Sequence, residues 1–119
     1  MSLYESTFIL RQDMPAHEVH KVADKFVELS TSLGGQLLKR EYWGLRTLAY
    51  IVKKNRKGHY VMLGLKCSPE TVKEIERNYK INEDIIKFLT IRVDKIEEAP
   101  SPMMQAPSDF GSLEDSAVE

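Results

Sequence analysis

The chain has 119 residues, 42% of them hydrophobic and 29% charged, with a formal net charge of −1. That length fits a single domain able to bury a core without disulfides or a structural metal. The single cysteine, Cys67, excludes an intramolecular disulfide, and the most apolar run, Tyr60 to Leu65, is far too short to span a bilayer, so a soluble cytoplasmic protein without a membrane partner is expected.

Leu3 to Leu10 is rich in aromatic and β-branched residues and stops at the polar Arg11-Gln12-Asp13, which reads as a strand. Pro15 suits a first helical turn, with Asp13 as a cap ahead of it. Val19, Val22, Ala23, Phe26, Leu29 and Leu33 then recur at three- and four-residue spacing, an apolar helical stripe that Gly34-Gly35 ends. Gln36 to Lys54 favours a long strand, in which Gly44 marks a bulge or a close backbone approach. The sequence Asn55-Arg56-Lys57-Gly58 predicts the turn that joins it to a third strand, His59 to Cys67. Ser68 predicts an N-cap and Pro69 the first position of a second helix, whose stripe is Val72, Ile75 and Tyr79. Asn82-Glu83-Asp84 turns the chain into a last strand, Ile85 to Val93.

The order strand, helix, strand, strand, helix, strand is the ferredoxin-like plan. It predicts an α+β fold, βαββαβ, with a four-stranded antiparallel sheet, two helices on one face, and the first and third strands central. Alternation puts apolar residues on both faces of that sheet. Ile9, Tyr60, Met62, Leu89 and Ile91 share the face away from the helices, with Lys87 at the margin. They are expected to form an exposed patch that a partner covers.

Charge is segregated. All 17 Lys and Arg lie at or before Lys95, against 12 acids in residues 1–96, a net of +5. Residues 97–119 hold six acids and no base. The sequence therefore divides into a basic domain, 1–96, and an acidic tail, 97–119, whose composition cannot build a core and is expected to be disordered alone. Pro102-Met103-Met104 is an apolar element there that is expected to order on a partner in the manner of coupled folding. A basic body with an acidic tail is a pattern of nucleic-acid-associated proteins.

No catalytic constellation accompanies this organisation. His17 and His20 stand three apart on a helix, but nothing supplies the further ligands of a metal site. Cys67 falls on an apolar strand face and reads as a buried thiol. There is no phosphate-cradling glycine loop, nucleophile elbow or zinc pattern. No enzyme, cofactor, metal or small-molecule substrate is expected. Lys57-Gly58-His59-Tyr60-Val61 loosely matches the basic-glycine-aromatic signature of RNA-recognition modules, so a stand-alone module for single-stranded RNA is the alternative reading. A small ferredoxin-like enzyme or metal carrier is a third.

The strand around Trp43 is the most informative stretch. Tyr4-Glu5 with Phe8-Ile9-Leu10, then Trp43-Gly44, Arg46, Leu48-Ala49-Tyr50 and Lys53, then Gly58-His59-Tyr60-Val61, Ile85 to Arg92 and Ser101-Pro102-Met103 together resemble the sixth protein of the bacterial small ribosomal subunit. The likeness covers roughly residues 3–104. It departs at Ile51-Val52, where the family usually has Pro-Ile, at Ser2-Leu3, which replaces a frequent basic pair, and at Lys87, which replaces a frequent arginine. The resemblance implies a non-enzymatic ribosomal component. It implies binding to the central domain of small-subunit ribosomal RNA together with the eighteenth protein of that subunit, and help in assembly.

Two surfaces are expected. Arg46, Lys53, Lys54, Arg56, Lys87 and Arg92 are the candidate contacts to RNA phosphates, which position without reading bases. Trp43, Tyr50, Tyr60, Met62, Leu89, Pro102 and Met103 are the candidate contacts to the protein partner, since aromatic residues are frequent binding anchors.

Overall fold

Alternation along the first and third strands decides the architecture, because both must bury side chains on two sides. A computed structural model describes residues 1–105. In chain order the elements are β1 (Ser2–Arg11), α1 (Ala16–Ser32), β2 (Gln36–Val52), β3 (Asn55–Cys67), α2 (Pro69–Ile81), β4 (Ile85–Val93) and a short α3 (Pro102–Gln105). The strands form a four-stranded antiparallel sheet in the order β2-β3-β1-β4, so β1 and β3 are central, as the ferredoxin-like plan requires.

One face of the sheet carries α1 and α2. Phe8, Leu10, Val61, Leu63 and Leu65 meet Val19, Val22 and Phe26 of α1 and Ile75 and Tyr79 of α2. Phe8, Phe26 and Tyr79 pack ring against ring, with centroids 4.6 to 5.4 Å apart. The buried Tyr79 hydroxyl is hydrogen-bonded to Ser6 Oγ at 2.8 Å, so its polar tip is satisfied inside the core.

Several local expectations hold. Ser68 accepts a hydrogen bond from the Thr71 amide with Pro69 opening α2. Gly34, at φ +87°, follows the end of α1. Gly44, at φ +88°, sits where the β2–β3 register slips, which is the bulge. Two do not. Asp13 does not cap α1: the helix starts behind Pro15 with no side-chain cap, and Asp13 instead accepts from Arg11 at 2.7 Å. The hairpin turn lies two residues earlier than expected, at Lys53-Lys54, and Asn55 already pairs with Val52. Both lysines have positive φ, 47° and 69°. The left-handed geometry of a tight hairpin is thus carried by two residues that supply no sequence signal for it. Asn55 compensates: its side chain donates to the Val52 and Lys53 carbonyls and accepts from the Gln12 amide.

The exposed patch expected on the second face is corrected most. Its residues are apolar, but the chain covers most of them itself. Ile9, Tyr60 and Met62 are 0%, 1% and 2% exposed, while Leu89 is half-buried and Ile91 is 46% exposed. Two segments lie over this face. β2 leaves its regular pairing with β3 after Thr47↔Lys57 and resumes at Val52↔Asn55. Between and around these points Trp43, Leu48 and Val52 pack on Ile9, Tyr60 and Ile86. The second segment is the strap after β4. Ile96 rests on Gly64, where an added Cβ would stand 3.1 Å from the Ile96 Cδ1. Alternation assigns a face to each residue, but it carries no information on which distant segment crosses that face.

Candidate functional site

Cations collect where the hairpin tip approaches β4. Lys53, Lys54 and Arg56 are exposed at the tip. Lys87 of β4 reaches back to it, donating to the Tyr50 hydroxyl, with its Nζ 4.6 Å from the Tyr50 ring centroid. A shallow cleft of about 290 Å³ beside β4 is lined by Lys53, Lys80 and Lys87 over Tyr79, Ile85, Ile86 and Phe88. Three ammonium groups around one depression form a surface for phosphate oxygens. Lys80 was not among the sequence candidates. It lies in the last turn of α2, where a lysine complements the helix dipole and carries no sign of a second role.

The two candidate arginines are placed elsewhere. Arg46 is only 3% exposed, and its Nε donates to the Trp43 carbonyl at 2.8 Å. It secures the backbone next to the Gly44 bulge. Arg92 is exposed near the far end of β4 and stands opposite Tyr4, so it belongs to the helix-bearing face. Five residues of strand separate it from Lys87, roughly 17 Å at the usual rise.

The apolar candidates divide by depth. Tyr60 and Met62 are buried, and an aspartate at Met62 would cost folding before it touched any partner. Trp43 is half-buried: its ring stacks on Tyr60 with centroids 6.2 Å apart. Tyr50 is 48% exposed, Leu89 is half-buried and Pro102 is exposed. The side chain of Met103 lies outside what the structure describes. Leu45 and Ile51 are 38% and 59% exposed on the outer part of β2. Exposed apolar and basic groups therefore adjoin: a second cleft is lined by Leu48, Tyr50, Ile51, Arg56 and Lys57.

Glu41 is the least anticipated residue. It is 6% exposed on the face away from the helices, opposite Met62. The Ser101 amide donates to its Oε2 at 2.9 Å, and the Ser101 hydroxyl to its Oε1 at 2.6 Å. The Trp43 indole donates to Oε1 at 2.9 Å, and Lys39 Nζ lies 3.5 Å from Oε2. Burial pushes the carboxyl pKa up, but the Ser101 and Trp43 donors and the Lys39 charge outweigh it, so the net shift is downward. Residues 60 apart in sequence meet here, a pairing no local pattern signals.

Among the described residues, His59, His20 and Cys67 are held in packing contacts. His59 is buried with its Nδ1 2.7 Å from the Tyr42 hydroxyl, and burial lowers its pKa. His20 packs edge-on against the same Tyr42 ring at 5.1 Å. Burial raises the Cys67 thiol pKa, the opposite of an activated nucleophile. Among the described residues no three His, Cys, Asp or Glu side chains gather as metal ligands, and no helix is long and apolar enough to cross a membrane.

Comparison with known proteins agrees with this geometry. The family described as Ribosomal protein S6 matches residues 3–92. The small ribosomal subunit protein bS6 of Gluconacetobacter diazotrophicus is 54% identical over 109 residues, 92% of this chain and 68% of that protein. The bS6 protein of Rickettsia canadensis is 49% identical over 113 residues, 95% of this chain and 93% of its own length. The crystal structure of 30S ribosomal protein S6 from Thermotoga maritima superposes with a TM-score of 0.74 at 28% identity, covering 77% of this chain and 87% of that one.

Proposed function

The chain belongs to the ribosomal protein S6 family of the bacterial small ribosomal subunit, and from that premise we propose that it binds the central domain of small-subunit ribosomal RNA together with the eighteenth protein of the subunit. Its role is to hold a folded RNA shape during assembly, without catalysis. Lys53, Lys54, Arg56, Lys80 and Lys87 contact phosphates, and Arg92 contacts a separate phosphate from the other side of the β4 edge. Tyr50, Leu89, Pro102 and the outer part of β2 meet the protein partner. Trp43, Tyr60, Met62 and Arg46 support that surface from beneath. The exposed acids Glu97 and Glu98 repel RNA and favour its approach from the hairpin side of the molecule.

The observation that carries this reading is the adjacency of the three-lysine cleft to the exposed Tyr50, which Lys87 contacts, and to Ile51 beside it. A basic edge beside an apolar margin suits an RNA–protein junction better than either partner alone. Recognition of single strands by stacking is disfavoured, since Tyr60, the aromatic of the Lys57-Gly58 signature, is 1% exposed beneath Trp43.

The test is a titration with folded central-domain RNA, with and without the eighteenth protein, at several salt concentrations. Binding should be markedly tighter with the partner and should weaken steeply with salt. Tight, partner-independent binding of short single strands would favour the recognition-module reading instead.

A further inference from the structure

The chain covers the β2–β3 half of the face away from the helices and leaves the β1–β4 half open. Tyr4, Ser6, Phe8 and Leu10 turn toward α1 and α2, so their alternates on β1 face the other way. Three cross-strand pairs line that open half: Leu3 with Val93, Glu5 with Ile91, and Thr7 with Leu89. Ile91 is 46% exposed and the other five are half-buried. Glu5 is the one charge among these six. It lies between Ile91 of β4 and Gly64 of β3, with Leu3 and Thr7 on either side along β1. Among the described residues its carboxylate has no hydrogen-bond or ion-pair partner. Lys66 of β3 stands opposite Leu3, one pair along on this face, and makes no ion pair with it. Glu41, on the same face, is by contrast fully supplied with donors from Ser101 and Trp43. An acid set among apolar groups tolerates this only while water reaches it. Any molecule that covers the strip must give Glu5 a donor, or a carboxylate is buried unpaired at a large cost.

Charge decides which occupant fits. RNA would bring phosphates against the Glu5 carboxylate. A second copy of the chain would set two Glu5 carboxylates near a shared two-fold axis. Two such copies also repel, since residues 1–96 hold 17 bases against 12 acids, a net of +5. We propose that the β1–β4 strip docks an apolar face of the protein partner that carries one arginine or lysine, which pairs with Glu5. The proposal rests on the two-partner reading above and names the chemistry by which its protein contact is recognised. Leu89, already a partner contact in that reading, lies at the middle of β4, and Lys87 follows it on the same face opposite Ile9. The partner's footprint therefore ends where the phosphate contacts begin. Glu5 also acts as a filter, because an apolar surface without a cation would strand its charge.

The experiment measures pairing of the full-length chain with the eighteenth small-subunit protein at low and high salt. The parent is compared with Glu5→Gln, Glu5→Lys and Ile91→Ser. Melting temperature, self-association and RNA binding without the partner are followed in parallel. Glu5→Gln keeps the shape and removes the charge, so pairing should weaken by about tenfold and lose part of its salt dependence. Glu5→Lys should weaken it further, because like charges then face each other. Ile91→Ser should weaken pairing while leaving its salt dependence as in the parent. Melting temperatures should stay close to the parent's for Glu5→Gln and Ile91→Ser, which break no internal contact of Glu5. If Glu5→Lys does not fold, Glu5→Gln decides. Pairing by Glu5→Gln that matches the parent in strength and salt dependence overturns the proposal. So does a change in self-association or in RNA binding alone with pairing intact, which would assign the strip to a second copy or to RNA. If the parent itself fails to pair, the two-partner reading falls and takes the strip with it.

Discussion

Glu41 shows how one side chain can change role between sequence and structure. In the sequence it is one acid among the charges Lys39, Arg40 and Arg46 of β2. In the fold it is a buried carboxylate whose donors come from β2 and from a segment 60 residues away. Its pKa is lowered overall, so the stabilisation it contributes is present above the ordinary glutamate range and is lost as pH falls through its own lower value. The Ser101 amide should therefore remain protected from exchange at pH values where exposed glutamates are already half-protonated, and lose protection only at more acidic pH. In Glu41→Gln the protection should be weak and nearly flat over the same range. A parent chain that loses protection in step with exposed glutamates would show that Glu41 does not hold the strap. Arg46 teaches the converse lesson. Its charge suggests a phosphate contact, yet at 3% exposure it serves the backbone beside a bulge.

At the scale of elements, the β2–β3 hairpin concentrates both strain and candidate function. Lys53 and Lys54 occupy left-handed backbone that costs about 1–2 kcal/mol per non-glycine residue. Strain kept in place at exposed cations fits a residue retained for its charge. Lys54→Gly should raise stability by about 1 kcal/mol, read as a higher midpoint in urea, while weakening RNA binding and reducing its salt slope by about one phosphate's share. Loss of stability in Lys54→Gly would show the turn to be unstrained. Farther along the hairpin, Gly58 permits a close approach of strands. A Cβ there would stand 2.3 Å from Ile9 Cγ2 and 3.2 Å from the Leu10 carbonyl oxygen. Gly58→Ala should therefore cost about 1–3 kcal/mol, visible as a lower melting temperature with the sheet otherwise intact. In the sequence this glycine reads as a turn residue. Its close-packing role depends on β1, which the sequence does not place beside it in any local sense.

For the whole molecule, the distribution of cations sets the binding geometry. Lys87 lies at the hairpin cleft and Arg92 on the opposite face of the same strand. Groups this far apart with no shared partner should act independently. Lys87→Glu and Arg92→Glu should each weaken RNA binding, and the double variant should lose the sum of the two effects within about 0.5 kcal/mol. A coupling well above that would place both on one phosphate cluster. Lys87→Glu also breaks the contact to Tyr50, yet its melting temperature should shift little, because that contact sits at the surface.

Local pattern was enough for the order of elements, the central strands, the Ser68 cap, the Gly44 bulge and the residues facing α1 and α2, because strand alternation, helical periodicity and capping act within a few residues. The tertiary structure decided what happens on the other side of the sheet. Whether Tyr60 and Met62 face solvent depends on where β2 bends and where the strap after β4 crosses, and both depend on contacts between residues tens of positions apart. The same holds for Arg46, Lys80 and Glu41, whose charges are plain in the sequence but whose surroundings arise only when the sheet closes. Periodicity tells a side chain which way to point, and the long-range path of the chain determines what it meets there.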